Sequence, residues 1–135
     1  MCFLAVGGRF DHAAAVVSTL YEFSDMPIVL VTPYNLIWLL RAGKHTIVHD
    51  STAQGTTCGL LPMGQPVRQI TSRGLKWDLG GEWGSLAMGV LCSSSNEVEG
   101  IGDGLPTDLQ KSGLGVVTVV TSEPVVWTTT LGPSK

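Results

Sequence analysis

Charge is scarce in this sequence. Asp, Glu, Lys and Arg make up only 14% of its 135 residues, and the net charge is −3. The eight basic residues are scattered, so no basic run is available to meet a nucleic acid or an anionic membrane. Neither partner is expected. Long hydrophobic runs are missing too, and no stretch is long enough to span a bilayer. The opening MCFLAV is apolar, but no basic residue leads it and it reaches Gly7-Gly8 after six residues. It is not a signal peptide, and a cytoplasmic location is the default expectation.

Cysteine is rare and unpaired in pattern. Cys2, Cys58 and Cys92 are odd in number and form no CxxC, so they read as buried thiols of a reducing compartment. His12, His45 and His49 are neither paired with the cysteines nor grouped at a zinc spacing, which argues against a zinc site. His45 and His49 are expected at the surface of one strand.

What the chain does have is apolar residues at 44% and seventeen glycines, the mark of a folded, glycine-punctuated domain. Its length allows one real core and not two complete ones. After VGGRFDH, the run DHAAAVVSTLYEF predicts a helix with Asp11 as N-cap and Val16, Val17, Leu20 and Tyr21 on one face. With MCFLAV as the end of a buried strand, residues 1–26 form one βα unit, the last of a truncated α/β domain.

Residues 27–135 change character. MPIVLVT predicts a buried strand, and YNLIWLLRAG with KHTIVHD a hairpin turning at Ala42-Gly43. PVRQITS alternates, and SLAMGVLCSSS reads as a strand ending in serines. GVVTVVTS and PVVWTTTL predict a hairpin across Ser122-Glu123-Pro124. Such spacing without helices points to a mainly β domain, a sandwich or barrel. Residues 97–115, rich in glycine and broken by Pro106, read as a mobile loop, and Asp103, Gly104 and Asp108 give only an incomplete calcium pattern.

Three stretches could carry chemistry. At the strand-to-helix junction, glycines let a backbone approach a ligand, a helix N-terminus favours an anion, and Arg9 adds a planar charged fork. The plainer alternative is a connection in which Asp11 only caps. In TSRGLKWDLGG, Trp77 lies among turn residues, where an exposed indole could stack on a flat or cationic ligand or could instead cover one end of the core. Trp38 and Trp127 sit in strand patterns and are expected in the core, while Trp83 fits either role. In CSSSNE, Ser93, Ser95 and Asn96 gather donors and acceptors in a small space, or form an ordinary turn.

Taken in order, the three stretches resemble the C-terminal half of thiamin pyrophosphokinase: a GGRxDx motif opening a helix, a GLKW turn, an SxSN stretch, and a closing β-hairpin with a late tryptophan. The resemblance covers nearly the whole chain. It implies a thiamin-binding β-sandwich at 27–135, preceded by part of an ATP- and magnesium-binding α/β domain, in a homodimer whose sandwich faces the partner's α/β domain. The implied reaction moves the diphosphate of ATP onto the thiamin hydroxyl. Trp77 would stack on thiamin, while Ser93, Ser95 and Asn96 would hydrogen-bond its aminopyrimidine. Arg9 would neutralise phosphate charge, and Asp11 would hold Mg2+ or orient the attacking hydroxyl. The family's upstream acidic motifs have no counterpart here, so the chain is expected to be inactive alone. A non-catalytic thiamin-binding module and a structural β-domain are the alternatives.

Overall fold

The computed structural model describes residues 9–99, 106–107 and 113–132. MCFLAV, Gly7-Gly8 and the calcium-like Asp103, Gly104 and Asp108 lie outside these. Among the described residues, the α-helix α1 (Phe10–Glu22) precedes eight strands: β1 (Val29–Val31), β2 (Asn35–Leu40), β3 (Gly43–Asp50), β4 (Gln54–Leu61), β5 (Ile70–Arg73), β6 (Ser93–Glu97), β7 (Leu114–Thr121) and β8 (Val125–Leu131). They form two antiparallel sheets, ordered β1-β2-β8-β4-β6 and β3-β7-β5. The fold is a mainly β sandwich, as expected.

Period-two patterning explains the sheets. In β7, Gly115, Val117, Val119 and Thr121 are buried while the residues between them are not. Val117, Val119, Ile47 and Ile70 from the smaller sheet meet Leu40, Leu60, Val125 and Trp127 from the larger one in a single core. Trp127 is fully buried, with Trp38 tilted against it at 6.3 Å between ring centroids. Both tryptophans are where their strand patterns placed them.

Neither expected hairpin forms. β2 pairs with β1 and β8, whereas β3 pairs with β7, so Arg41 and Ala42 carry the chain from one sheet to the other. Gly43 permits that corner with φ +129. Likewise β7 belongs to the smaller sheet and β8 to the larger. Their corner is fixed by Ser122 N donating to Gln69 O (2.9 Å) and Thr121 Oγ1 to Glu123 O (2.7 Å). Short turn residues serve a hairpin and a sheet-swapping corner equally well. Long-range pairing decides between them.

Three local expectations change as well. His49 shares the inward parity of Ile47, so it is buried, with Nε2 at 2.8 Å from Gly55 O; His45 is half-buried. The strand expected over SLAMGVLCSSS begins at the serines instead of ending there. Ahead of it Leu86 bridges Val67, and Ala87 and Leu91 close a tight turn. Finally, Glu97, Leu114 and Gly115, expected in the loop, belong to β6 and β7, and Val98 bridges Leu75, while most of the rest of 97–115 lies outside the described residues.

In α1 the N-cap is Arg9, not Asp11, which sits in the first turn. There Asp11 accepts two hydrogen bonds from the Arg9 guanidinium, at 3.0 and 2.5 Å. A first-turn carboxylate suits the helix dipole without capping. Leu20 is buried, Val16, Val17 and Tyr21 are partly so, and Tyr21 Oη accepts from Gly64 N at 2.9 Å. The apolar face is as predicted.

Candidate functional site

The turn at residues 74–79 is built to hold Trp77 outward. Gly74 turns the chain with φ +98, and a Cβ there would lie 2.5 Å from Val116 O. Only glycine fits. Asp78 Oδ1 accepts from Leu75 N (3.0 Å) and Ser72 Oγ (2.9 Å), and Ser72 Oγ in turn accepts from Leu79 N (2.8 Å). The turn therefore closes on its own carboxylate, anchored to β5. Trp77 at its tip is 55% exposed, which removes it from the core.

A second set of bonds sews the turn to β6. Lys76 N donates to Glu97 O (2.8 Å) and Glu99 N to Gly74 O (2.9 Å), and Leu75 bridges Val98. Asn96 Oδ1 accepts from Trp77 N at 3.2 Å, and Asn96 Nδ2 donates to Trp77 O at 2.9 Å and to Ser93 Oγ at 3.1 Å. Lys76 Nζ lies 4.8 Å from the Trp77 ring centroid and 3.4 Å from Glu97 Oε2. Below β6, burial and the nearby Glu97 carboxylate push the Cys58 thiol up to about 12. It stays a neutral thiol.

Between the turn and β6 lies a pocket of about 410 Å³, walled by Trp77, Leu79, Trp83, Leu91, Ser93 and Ser94. Cys92, Asn96 and Asp78 complete it, Asp78 bringing the one charged side chain of the lining. Two indoles, two aliphatic side chains, hydroxyls and a carboxylate suit a flat molecule with polar edges and positive charge.

Of the residues expected at the site, Trp77, Ser93 and Asn96 come together here. Ser95 does not line the pocket, and Ser94 does. The cause is a β-bulge: Cys58 faces Asn96 and Leu60 faces Ser93, so Ser94 and Ser95 both stand against Gly59. Ser95 takes φ +55, the one positive φ of a non-glycine among the described residues. A bulge reverses the alternation that would have put Ser93 and Ser95 on one face. Asp78 and Leu91 also carried no sequence signal beyond their neighbours.

Arg9 and Asp11 lie elsewhere. Helix α1 packs on β2, near the β1 edge of the larger sheet, while β6 forms the opposite edge. Both side chains are exposed. Within one chain the two groups of candidate residues stay apart.

Residues 44–103 match the family profile described as thiamin pyrophosphokinase, vitamin B1 binding domain. The chain is 46% identical over 95 residues to thiamine pyrophosphokinase 2 of Oryza sativa subsp. japonica, covering 70% of this chain and 35% of that protein. With thiamine pyrophosphokinase 3 of the same species it shares 34% identity over 128 residues, covering 94% and 43%. Among solved structures, yeast thiamin pyrophosphokinase superposes with a TM-score of 0.74 at 26% identity, over 96% of this chain and 38% of that one. The chain thus spans well under half the length of these relatives. By sequence and by fold, it belongs to the thiamin pyrophosphokinase family and carries its vitamin B1 binding domain.

Proposed function

We propose that the pocket beneath Trp77 binds thiamin, and that the chain is the thiamin-binding half of a thiamine diphosphokinase, which converts ATP and thiamin to AMP and thiamin diphosphate. The observation that carries this reading is the exposed Trp77 set over a pocket with hydroxyls and one carboxylate, inside the segment that matches the vitamin B1 binding domain. A flat aminopyrimidine and a cationic thiazolium suit those walls. Cation–π contact with an indole is worth about 0.5–2 kcal/mol, and a neutral hydrogen bond from Ser93 about 0.5–1.5 kcal/mol.

Arg9 is the group proposed to neutralise charge on the transferring diphosphate, since in-line transfer gathers charge on the phosphate oxygens. It stands apart from the pocket in one chain, which favours a site shared between two copies: the sandwich of one facing the α/β part of the other. The domain division at residues 1–26 and 27–135 follows from that reading. ATP and magnesium would be held mainly by an α/β half. The described residues do not fit a magnesium ion. Among them no group of three or more His, Cys, Asp or Glu converges, and the Asp11 carboxylate is engaged by Arg9 on both oxygens. Asp11 serves here to orient Arg9.

A turnover assay tests this. Alone, the chain is expected to form no AMP from ATP and thiamin, and adding a separately expressed N-terminal α/β half of a relative should restore turnover. A folded, mixed pair without turnover contradicts the reading. Cytoplasmic residence belongs to the same proposal, and among the described residues no helix is long and apolar enough to cross a membrane.

A further inference from the structure

The pocket contains a polar side chain that has nothing left to give a ligand. A carboxamide offers two acceptor and two donor positions. In Asn96, Oδ1 accepts from Trp77 N (3.2 Å) and Glu97 N (2.9 Å), and Nδ2 donates to Trp77 O (2.9 Å) and Ser93 Oγ (3.1 Å). All four positions are used, and the residue is only 3% exposed. The orientation of the amide is also forced. Two backbone N–H groups point at one end and a backbone carbonyl at the other, so the flipped amide would set donor against donor and acceptor against acceptor.

From this we infer that Asn96 is a positioning residue that locks the Trp77 indole and the Ser93 hydroxyl into one rigid unit, and that its amide makes no hydrogen bond to the bound molecule. The inference rests on the reading of this pocket as the thiamin site and reassigns one of its residues. A ligand that drew on the Asn96 amide would leave a buried partner unsatisfied at Trp77, Glu97 or Ser93. The bond to Ser93 has a further consequence. It fills an acceptor position of Oγ and leaves the hydroxyl hydrogen for the pocket that Ser93 lines. Ser93 therefore meets the ligand with its hydroxyl hydrogen and one remaining acceptor position, and the hydrogen can be given to an acceptor such as a ring nitrogen. Trp77 supplies area and Ser93 direction, and Asn96 holds both in place.

The test is calorimetric titration of two ligands: thiamin, and its benzyl analogue in which a phenyl ring replaces the aminopyrimidine, so that the stacking ring carries no polar atom. Asn96→Ala should weaken both ligands by about tenfold, the effect of losing an interaction of ordinary hydrogen-bond strength. In a Trp77→Ala background, titrated at raised ligand concentration, the same change should weaken the benzyl analogue less than twofold, because the platform Asn96 positions for it is gone, and should still weaken thiamin through Ser93. Loss of thiamin affinity with unchanged affinity for the benzyl analogue would mean that Asn96 binds the pyrimidine directly, and overturns the inference. If Asn96→Ala fails to fold, hydrogen exchange on the wild-type chain decides. Saturating thiamin should leave the Trp77 amide as protected as before or more so, and faster exchange there contradicts the proposal. Wild-type protein that binds neither ligand removes the pocket reading itself, and this inference with it.

Discussion

The two edges of the larger sheet are built on different principles. At the β6 edge, the turn carrying Trp77 is tied down by Asp78 from one side and Asn96 from the other, with the tying groups paired inside the protein. At the β1–β2 edge, α1 contributes one buried residue, Leu20, and Arg9 and Asp11 pair in solvent. Phe10 there is 85% exposed and Tyr34 77%. The first edge is organised before any ligand arrives, which lowers the ordering cost of binding. The second presents its charged pair and aromatic rings to whatever meets it. On the proposed reading, recognition would be complete within one chain, whereas the residues proposed for phosphate chemistry would need a partner surface.

Substitutions that separate the two edges from the core between them sharpen this picture. The largest effect is expected from the contrast of two tryptophans. Trp127→Ala should cost about 3–5 kcal/mol in chemical denaturation, since it empties a fully buried site. Trp77→Ala should leave stability within about 1 kcal/mol, because its ring is half in solvent. Equal losses would mean that Trp77 is a core residue after all.

Next in size is Gly74→Ala, which sets a Cβ against the Val116 carbonyl at φ +98. It should destabilise by roughly 1–3 kcal/mol and weaken thiamin binding together, as strain at a turn does. The same substitution at Gly89 (φ +83), whose Cβ would meet nothing within 4 Å, should cost less. Parity between the two would show that the turn at 74 is not a tight fit.

Acid titration probes the β7–β8 corner, which belongs to neither edge. Hydrogen bonds from Ser122 and Arg68 hold the Glu123 carboxyl down at about 2. A depressed carboxylate contributes stability that is present above its unfolded value near 4.5 and is lost as pH falls from there towards 2. Urea denaturation between those pH values should therefore show a decline that Glu123→Gln flattens. An unchanged slope would sink the assignment.

The smallest effect is expected at the α1 edge. Arg9→Ala removes an ion pair whose side chains are about two-thirds exposed (65% and 64%), so stability should change by less than about 1 kcal/mol. Thiamin binding to the isolated chain should not change at all. A binding defect in Arg9→Ala would break the division between the edges.

How much of this could be read beforehand follows from the range of each signal. The alternation through Val117 and Val119, the apolar face of α1 and the strand setting of Trp127 are local patterns, and all are legible. Trp77 is legible as a residue among turn formers. The corners at Arg41-Ala42 and at residues 122–124 are not, because only the distant partners of β2, β3, β7 and β8 distinguish a corner from a hairpin. His49 was misplaced because a polar residue can take an inward position when a backbone carbonyl such as Gly55 O awaits it. The bulge opposite Gly59 is the subtler case. SSSN announces hydroxyls at the right place, yet one extra residue decides that Ser94 and not Ser95 lines the pocket.

The most direct test of the central claim is calorimetric titration of thiamin into the chain, beside Trp77→Ala of matched stability. The account expects saturable binding at one site per chain in the wild type and binding weaker by about tenfold or more in the variant, since it places the recognising groups in one chain. Folded wild-type protein that takes up no thiamin, or a variant that binds as well as the wild type, would contradict it.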